Sequence, residues 1–292
     1  MHPLAIALVL LSAIMHALRN FFNKKALDKQ AFVWWYEVVG LIFFTPVFLY
    51  AWFTASAGTT VAIPLIALSG CIHFCYWLFL SKALEKGDLS LVYPIMRSSP
   101  ALVLIFSITI LGEDVSVLGI TGILLVACGV YTINMKSLVS TELFRPFGAL
   151  TENRAIQFAF LTLLSVAGYT LVDKIAVGRM DPVIFAYVYP WISLGLFTGY
   201  IIKAKPNDVL KKEWAARKGS ILVCGFLSIF GYFLILLAFT FERMSYIVGL
   251  RQLSIVFAVL LGGHFLKEEN RLIRIVSSII IFAGAYLIAV AG

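Results

Sequence analysis

The 292-residue sequence is short of charge. Asp, Glu, Lys and Arg together make up 13% of it, about half the share of an ordinary globular domain. Acidic residues number only 15, and there are four histidines and four cysteines. Such scarcity excludes an intrinsically disordered chain, which needs high charge and low hydrophobicity. The cysteines (Cys71, Cys75, Cys128 and Cys224) all lie within apolar stretches, where cysteine behaves as a small buried hydrophobe. Cys71 and Cys75 are one helical turn apart, but His73 between them points elsewhere, so three metal ligands do not converge from one helix. No disulfide framework, metal site, cofactor motif or nucleic-acid-binding pattern follows. What the chain has instead is 61% hydrophobic residues and a mean hydropathy of +0.97, against roughly 45–50% apolar in soluble domains. A chain with so little polar surface has lipid as its solvent.

A membrane helix needs about 20 mostly apolar residues. Ten stretches qualify: Pro3–Phe22, Ala31–Phe53, Val61–Leu84, Leu89–Leu111, Val117–Ile133, Ala155–Val177, Pro182–Ile202, Gly219–Phe241, Ser245–Leu266 and Leu272–Val290. The connections are short and polar, the longest being Asn134–Arg154 and Lys203–Lys218. The sequence therefore predicts an all-α integral membrane protein that forms one membrane unit. Leu4–Ile14 has the apolarity of a signal-peptide core, but it lacks a basic lead and a convincing cleavage site. It reads as the first span.

Slid against itself, the chain keeps register at an offset of 155 from Gly70 onward: Gly70 falls on Gly225, Ser90 on Ser245, Ser99 on Ser254, Glu113 on Glu268 and Gly129 on Gly284. Upstream the offset is 153, matching Ser12 to Ser165, Phe32 to Phe185 and Tyr36 to Tyr189. This predicts two five-helix repeats, residues 1–135 and 154–292. Five is odd, so the second repeat enters the membrane from the opposite side. Inverted repeats of this kind are a design of secondary transporters, with the substrate near the midplane between the halves.

Ionisable groups in lipid cost roughly 2.5–3.5 kcal/mol each on insertion scales, so they normally face a cavity or a partner. The first span carries His16, Arg19 and Asn20, continued by Asn23, at spacings that place them on one stripe. The equivalent stripe in the sixth span is Ser165, Tyr169 and Asp173, with Lys174 beside it. His73 and Trp77 share a face of the third span, and their partners in the eighth are Ser228 and Tyr232. Tyr93 and Arg97 lie in the fourth span beside Pro94, Arg251 and Gln252 in the ninth, and Glu37 in the second. Two neutral alternatives accompany these. Arg19 and Lys174 lie near span ends and can snorkel to the interface, and Trp34, Trp35, Tyr187 and Trp191 suit an interfacial aromatic belt. Arg97 and Arg251 sit a full turn inside their spans. The interior thus has a cationic excess over the two carboxylates Glu37 and Asp173. That suits an anionic or zwitterionic small solute, with a carboxylate left to carry a proton. The turns at Gly112-Glu113-Asp114 and Lys267-Glu268-Glu269 are expected to complement the dipoles of the fifth and tenth spans.

At these residues the chain resembles the EamA branch of the drug/metabolite transporter superfamily. The resemblance runs from S-A-I-M-H-A-L-R-N-F-F-N-K-K in the first span through A-L-E-K-G-D-L-S-L-V-Y-P-I-M-R-S-S-P, ending in L-G-E-D. The second half echoes it with L-R-Q-L-S-I-V-F-A-V-L-L-G-G-H-F-L-K-E-E. It implies a central cavity lined by spans 1, 3, 4, 6, 8 and 9, with spans 5 and 10 peripheral and available for homodimer formation. It also implies export of a metabolite with proton coupling or exchange, and a multi-pass position in a bacterial inner membrane. The family often has Trp where this chain has Arg19, so no relative's substrate transfers directly. Arg19, Arg97 and Arg251 are expected to hold anionic groups, with His16, Asn20, His73, Trp77, Tyr93, Tyr169, Ser228, Tyr232 and Gln252 completing the site. Glu37 and Asp173 are the proton-carrying candidates. A flippase for a phosphate-bearing lipid-linked carrier is the alternative, and a polytopic membrane enzyme a more distant one.

The net charge of +8 is chiefly an orientation signal. Lys24, Lys25 and Lys29, then Lys203, Lys205, Lys211, Lys212, Arg217 and Lys218, lie at connections after odd-numbered spans. The other side has only Arg179 and Arg243 clearly outside a span. The positive-inside rule places the odd connections in the cytoplasm and the termini outside, whereas the family resemblance implies termini inside.

Overall fold

The computed structural model describes residues 1–54, 62–86, 89–133, 135, 153–265 and 271–291. Among the described residues the only regular structure is helix, in the order α1 Pro3–Lys24, α2 Lys29–Thr54, α3 Ile63–Lys86, α4 Leu89–Arg97, α5 Ser99–Thr109, α6 Val117–Thr132, α7 Arg154–Val177, α8 Pro182–Ala204, α9 Asn207–Phe239, α10 Met244–Arg251, α11 Leu253–Phe265 and α12 Arg271–Val290. Eight helical segments are long and apolar enough to cross a membrane, and Val117–Thr132 and Met244–Val259 are shorter apolar helices. The protein is an integral, multi-pass membrane protein.

The helix boundaries follow local chemistry. Pro3 and Pro182 occupy the first helical position of α1 and α8, where a missing N–H costs nothing. Ser116, Asn153 and Asp181 cap α6, α7 and α8 through their side-chain oxygens.

Two features depart from ten simple spans. The fourth expected span is broken at Ser98, between α4 and α5, with Pro94 and Pro100 flanking the break. The ninth is broken at Gln252, between α10 and α11, one residue before the position 155 beyond Ser98. At each break the backbone tightens into a shorter turn: Ser98 N donates to Ile95 O and Ala101 N to Ser98 O, as Gln252 N donates to Gly249 O and Ile255 N to Gln252 O. In addition, α9 begins twelve residues before its expected start and kinks at Arg217 (φ −126°, ψ 15°). The polar segment before the kink lies against α2: Trp35 Nε1 donates to the Leu210 carbonyl at 2.9 Å, and the Trp35 and Trp214 rings sit 4.7 Å apart.

Packing between the two halves comes in matched pairs. α3 packs on α7 as α1 packs on α9; α2 packs on α9 as α3 packs on α8; α1 packs on α11 as α4 and α5 pack on α7; and α6 packs on α12. The closest approaches repeat at the residue level. A Cβ at Gly70 would meet Ile192 and the Tyr189 carbonyl at 2.7–2.9 Å, and one at Gly225 would meet Val39 and the Tyr36 carbonyl at 2.8 and 3.0 Å. Tyr36 and Val39 are the residues 153 before Tyr189 and Ile192. Likewise a Cβ at Gly129 would meet Ile281 and the Ser277 carbonyl at 2.7 and 2.9 Å, and one at Gly284 would meet the Gly122 carbonyl and Val126 N at 2.6 and 2.8 Å. Small residues at such crossings let helices meet backbone to backbone, a main source of helix association in lipid. Outward-facing Ile42, Phe53, Ile63, Leu124, Ile202, Ile279 and Phe282 are exposed, which is the surface lipid requires.

Both chain ends lie on one side of the bundle, where the Met1 amino group donates to the Ala289 carbonyl and the His2 amide to Glu242. Glu113 and Lys174 each hold a helix terminus at this end. Glu113 accepts from the amides of Met244 (2.6 Å) and Ser245 (3.3 Å) and from Ser245 Oγ (3.0 Å). It therefore caps α10 in the other half, whereas the sequence pointed to the helix that follows it. A carboxylate reaches the nearest orphan amides, and the fold brings those of α10 closest. The Lys267-Glu268-Glu269 turn lies outside the described residues. Lys174 Nζ donates to the Phe239 and Glu242 carbonyls at 2.5 and 2.7 Å, capping the end of α9.

Candidate functional site

Between the halves lie two adjoining cavities that share His16, Arg19, Tyr76, Trp77, Tyr169 and Arg251. One, of about 90 Å³, is lined on its far side by Glu37, His73, Tyr189, Ser228 and Tyr232. The other, of about 170 Å³, is lined by Asn20, Tyr93, Arg97, Ser99, Gln252 and Ser254. All twelve candidate substrate-binding residues and Glu37 line one or both. Asp173 does not: it is fully buried behind the wall.

Each polar group has a definite partner. Arg19 Nη1 donates to Ser228 Oγ at 3.0 Å, and Ser228 in turn donates to Glu37 Oε1 at 2.9 Å. The serine thus stands between an arginine of α1 and a glutamate of α2, and the Arg19 guanidinium also lies 5.9 Å from the Tyr36 ring. Arg19 therefore turns into the protein. His16 Nδ1 and Asn20 Nδ2 are 3.3 Å apart.

Asp173 is held from two helices. Ser69 of α3 donates to Oδ1 and Tyr232 of α9 to Oδ2, each at 2.5 Å. His73 Nε2 lies 3.8 Å from Oδ2, and its Nδ1 is 3.0 Å from the Ser69 carbonyl. The His73 ring stacks on Tyr169 at 4.0 Å and leans on Tyr189 at 4.6 Å. Both carboxylate oxygens are occupied, which is what burial of a carboxyl group in a membrane domain requires. The residue 153 before Asp173 is Asn20, so only one of the two equivalent positions has an acid.

Arg97 and Arg251 are different. Each is the last residue of its half-helix, at the break in its span. Arg97 Nη2 donates to the Tyr93 hydroxyl at 3.3 Å. Arg251 lies 5.3 Å from the Tyr232 ring centre, within cation–π range. Among the described residues neither has a carboxylate in ion-pair reach. Ser99 and Ser254, in the first turns of α5 and α11, line the same cavity. The first turns of α5 and α11 therefore border it as well.

A third cavity, of about 630 Å³, is lined by Asn23, Asp28, Gln30, Trp77, Ser81 and Lys205 among others. It occupies the end of the bundle away from the chain termini. Trp77 lines all three cavities and so stands between this vestibule and the site. The residue 155 beyond it is Tyr232, the tyrosine that holds Asp173 on the termini side.

Sequence reasoning missed Ser69, Tyr76 and Tyr189. Ser69 and Tyr76 lie one turn either side of His73 on the same face, and Tyr189 is the repeat partner of Tyr36, so spacing contained the signal. Trp34 and Trp35, weighed as belt residues, donate to Thr198 Oγ1 and the Leu210 carbonyl, both at 2.9 Å; they join helices. Trp191 is half exposed, as a belt residue would be.

With this geometry established, comparison with known proteins gives the family. The model of the EamA-like transporter family matches residues 3–135 and again 153–290. The chain belongs to that family, and is a membrane transporter by membership. No curated protein matches in sequence. Twenty-eight chains of solved structures share the fold. One of them, a crystal structure of a protein, aligns with a TM-score of 0.72 over 99% of this chain and 98% of its own, at 14% identity. That likeness concerns the fold alone.

Proposed function

We propose that the protein is a secondary active transporter that exports a small anionic or zwitterionic metabolite across a bacterial inner membrane. It crosses the membrane ten times in two inverted five-helix halves, residues 1–135 and 154–292, and works by alternating access as the halves rock. Support for the inversion comes from the recurrence of the same close contacts at the offsets of 153 and 155, and from the two family matches. The observation that carries the solute reading is the meeting of Arg19, Arg97 and Arg251 in one cavity, with no carboxylate in ion-pair reach of Arg97 or Arg251 among the described residues.

Protons couple through Asp173 and Glu37. Trp77 and Tyr232, at equivalent places, gate opposite ends: Trp77 borders the vestibule, while Tyr232 is latched to Asp173. Protonating Asp173 removes the charge that Tyr232 and Ser69 hold, weakens the latch, and frees the termini side to open. Solute arriving at Arg251, against the face of Tyr232, acts on the same latch from within.

The experiment is pH-dependent transport in proteoliposomes, with a solute first chosen by a thermal-shift screen of amino acids, phosphorylated metabolites, organic acids and cations. Replacing Glu37 and Asp173 together by Gln and Asn should abolish uptake driven by an imposed proton gradient, whatever pH dependence the solute's own ionisation contributes. Unchanged coupling in that double variant rejects the proton role, and stabilisation by organic cations alone rejects the anionic reading.

A further inference from the structure

We propose that the solute has a compact dianionic head of the phosphomonoester or phosphonate type, attached to a small ring-bearing or flat body. The inference deepens the transporter reading above and rests on it.

Three guanidinium groups line the two adjoining cavities against one carboxylate, that of Glu37. Glu37 and Arg19 share Ser228 at 2.9 and 3.0 Å, so they offset each other on the Glu37 side. Asp173 presents no oxygen to the cavity, because Ser69 and Tyr232 take both. What is left for a ligand is Arg97 and Arg251. They lie together in the larger cavity beside Ser99 and Ser254.

An amino acid zwitterion fits this poorly. Its ammonium needs an acceptor of negative charge, and none faces the larger cavity among the described residues. A dicarboxylate spreads its two charges several ångströms apart, whereas the Arg97 and Arg251 guanidinium groups here share one chamber. Two guanidinium forks match a tetrahedral oxyanion with three acceptor oxygens, and Ser99 and Ser254 line the same chamber. The adjoining smaller chamber is walled by the rings of His73, Tyr169, Tyr189 and Tyr232, with Glu37 and Arg19 joined to each other through Ser228, which suits a flat body. Its volume of about 90 Å³ limits that body to a small one.

The test is isothermal titration of the full chain in lipid nanodiscs with four soluble probes: phenyl phosphate, glycerol 3-phosphate, succinate and phenylalanine. An isoprenyl phosphate incorporated in the nanodisc serves as competitor. Phenyl phosphate should bind most tightly, glycerol 3-phosphate next, and succinate and phenylalanine at least tenfold more weakly. Because the second phosphate ionisation lies near pH 6, phosphate binding should strengthen severalfold between pH 5.5 and 7.5. Arg97→Gln and Arg251→Gln should each weaken it by roughly tenfold or more, and the Lys versions by less. Melting temperatures of the unliganded variants identify any that fail to fold, in which case the Lys versions carry the test. Tighter binding of phenylalanine or succinate, absence of phosphate binding, or phosphate binding indifferent to both Gln variants overturns the inference. If phenylalanine is both bound and transported, the dianion is wrong and the transporter reading stands. If only the isoprenyl phosphate binds, the dianionic head stands, its source is the lipid, and transport of a water-soluble metabolite is wrong.

Discussion

The Tyr232 hydroxyl donates to Asp173 at 2.5 Å, while the ring of the same tyrosine lies 5.3 Å from the Arg251 guanidinium. One side chain therefore touches both the buried acid and a cation that lines the cavity. Tyr232→Phe keeps the ring and removes only the bond to Asp173. It should lower thermal stability by about 1.5–3 kcal/mol, the range for a hydrogen bond to a charged group. Solute affinity should change little, and the pH dependence of transport should change markedly. A melting curve, a binding isotherm and a pH profile together check this; an unaltered profile would mean that Tyr232 only packs.

Close packing of the halves gives a second prediction. Gly40→Ala places a methyl 2.7 Å from the Gly225 carbonyl oxygen, a backbone atom that cannot turn aside. The variant should lose about 1–3 kcal/mol, as overpacked cores do. Gly195→Ala, with nothing within 4 Å, should be neutral or stabilising by up to about 1 kcal/mol. Thermal unfolding in the same detergent compares the two.

Much of this was readable from residue order. The apolar stretches, the offsets of 153 and 155, and the stripe from His16 to Asn23 each depend on local periodicity, and the structure has helices at those places. The glycines that the repeat pairs, Gly70 with Gly225 and Gly129 with Gly284, meet equivalent backbone in the structure. The break at Ser98 had a signal in Pro94 and Pro100, but the one at Gln252 was not readable, because it has no proline or glycine directly beside it. Nor was the withdrawal of Asp173 behind Ser69 and Tyr232. A stripe gives the face of a helix but not the depth to which the neighbouring helices cover it. Glu113 taught the same lesson at the surface: its nearest free amides belong to a helix more than a hundred residues away.

The elbow between α1 and α2 is tied to the second half, and its titration sets a pH prediction. Lys205 Nζ meets Asp28 Oδ2 at 2.7 Å, and Glu213, fully buried, accepts from the Asp28 amide at 2.7 Å. Burial by itself would raise the Asp28 carboxyl. The Lys205 bond, with the amides of Ala31 and Gln30, outweighs it and holds the group below its ordinary value. A depressed value in the folded state means stabilisation that is present above the unfolded carboxylate range and lost as pH falls through the folded value. Asp28→Asn keeps a capping oxygen but loses the ion pair. It should therefore lower stability at pH 7 by less than about 1 kcal/mol, with the difference from the parent shrinking only once pH falls below the ordinary value of 3.8 and vanishing below the depressed folded value. Melting temperatures across that range check both the sign and the window.

Glu113→Ala should free the first amides of α10 and cost about 1–3 kcal/mol. Hydrogen exchange should accelerate at Met244 and Ser245 and leave the first turn of α6, capped by its own Ser116, unchanged. Acceleration at α6 instead would restore the expectation drawn from chain order.

The account rests on solute passing through the site that Arg97 and Arg251 line. Counterflow in proteoliposomes measures this directly, using the soluble compound that most stabilises the purified protein. The wild-type chain should take up label in a saturable way. The double variant Arg97→Gln, Arg251→Gln, with its melting temperature preserved, should take up no more than protein-free vesicles. Equal uptake by the folded double variant, or none by a wild-type protein that binds the compound, would contradict it.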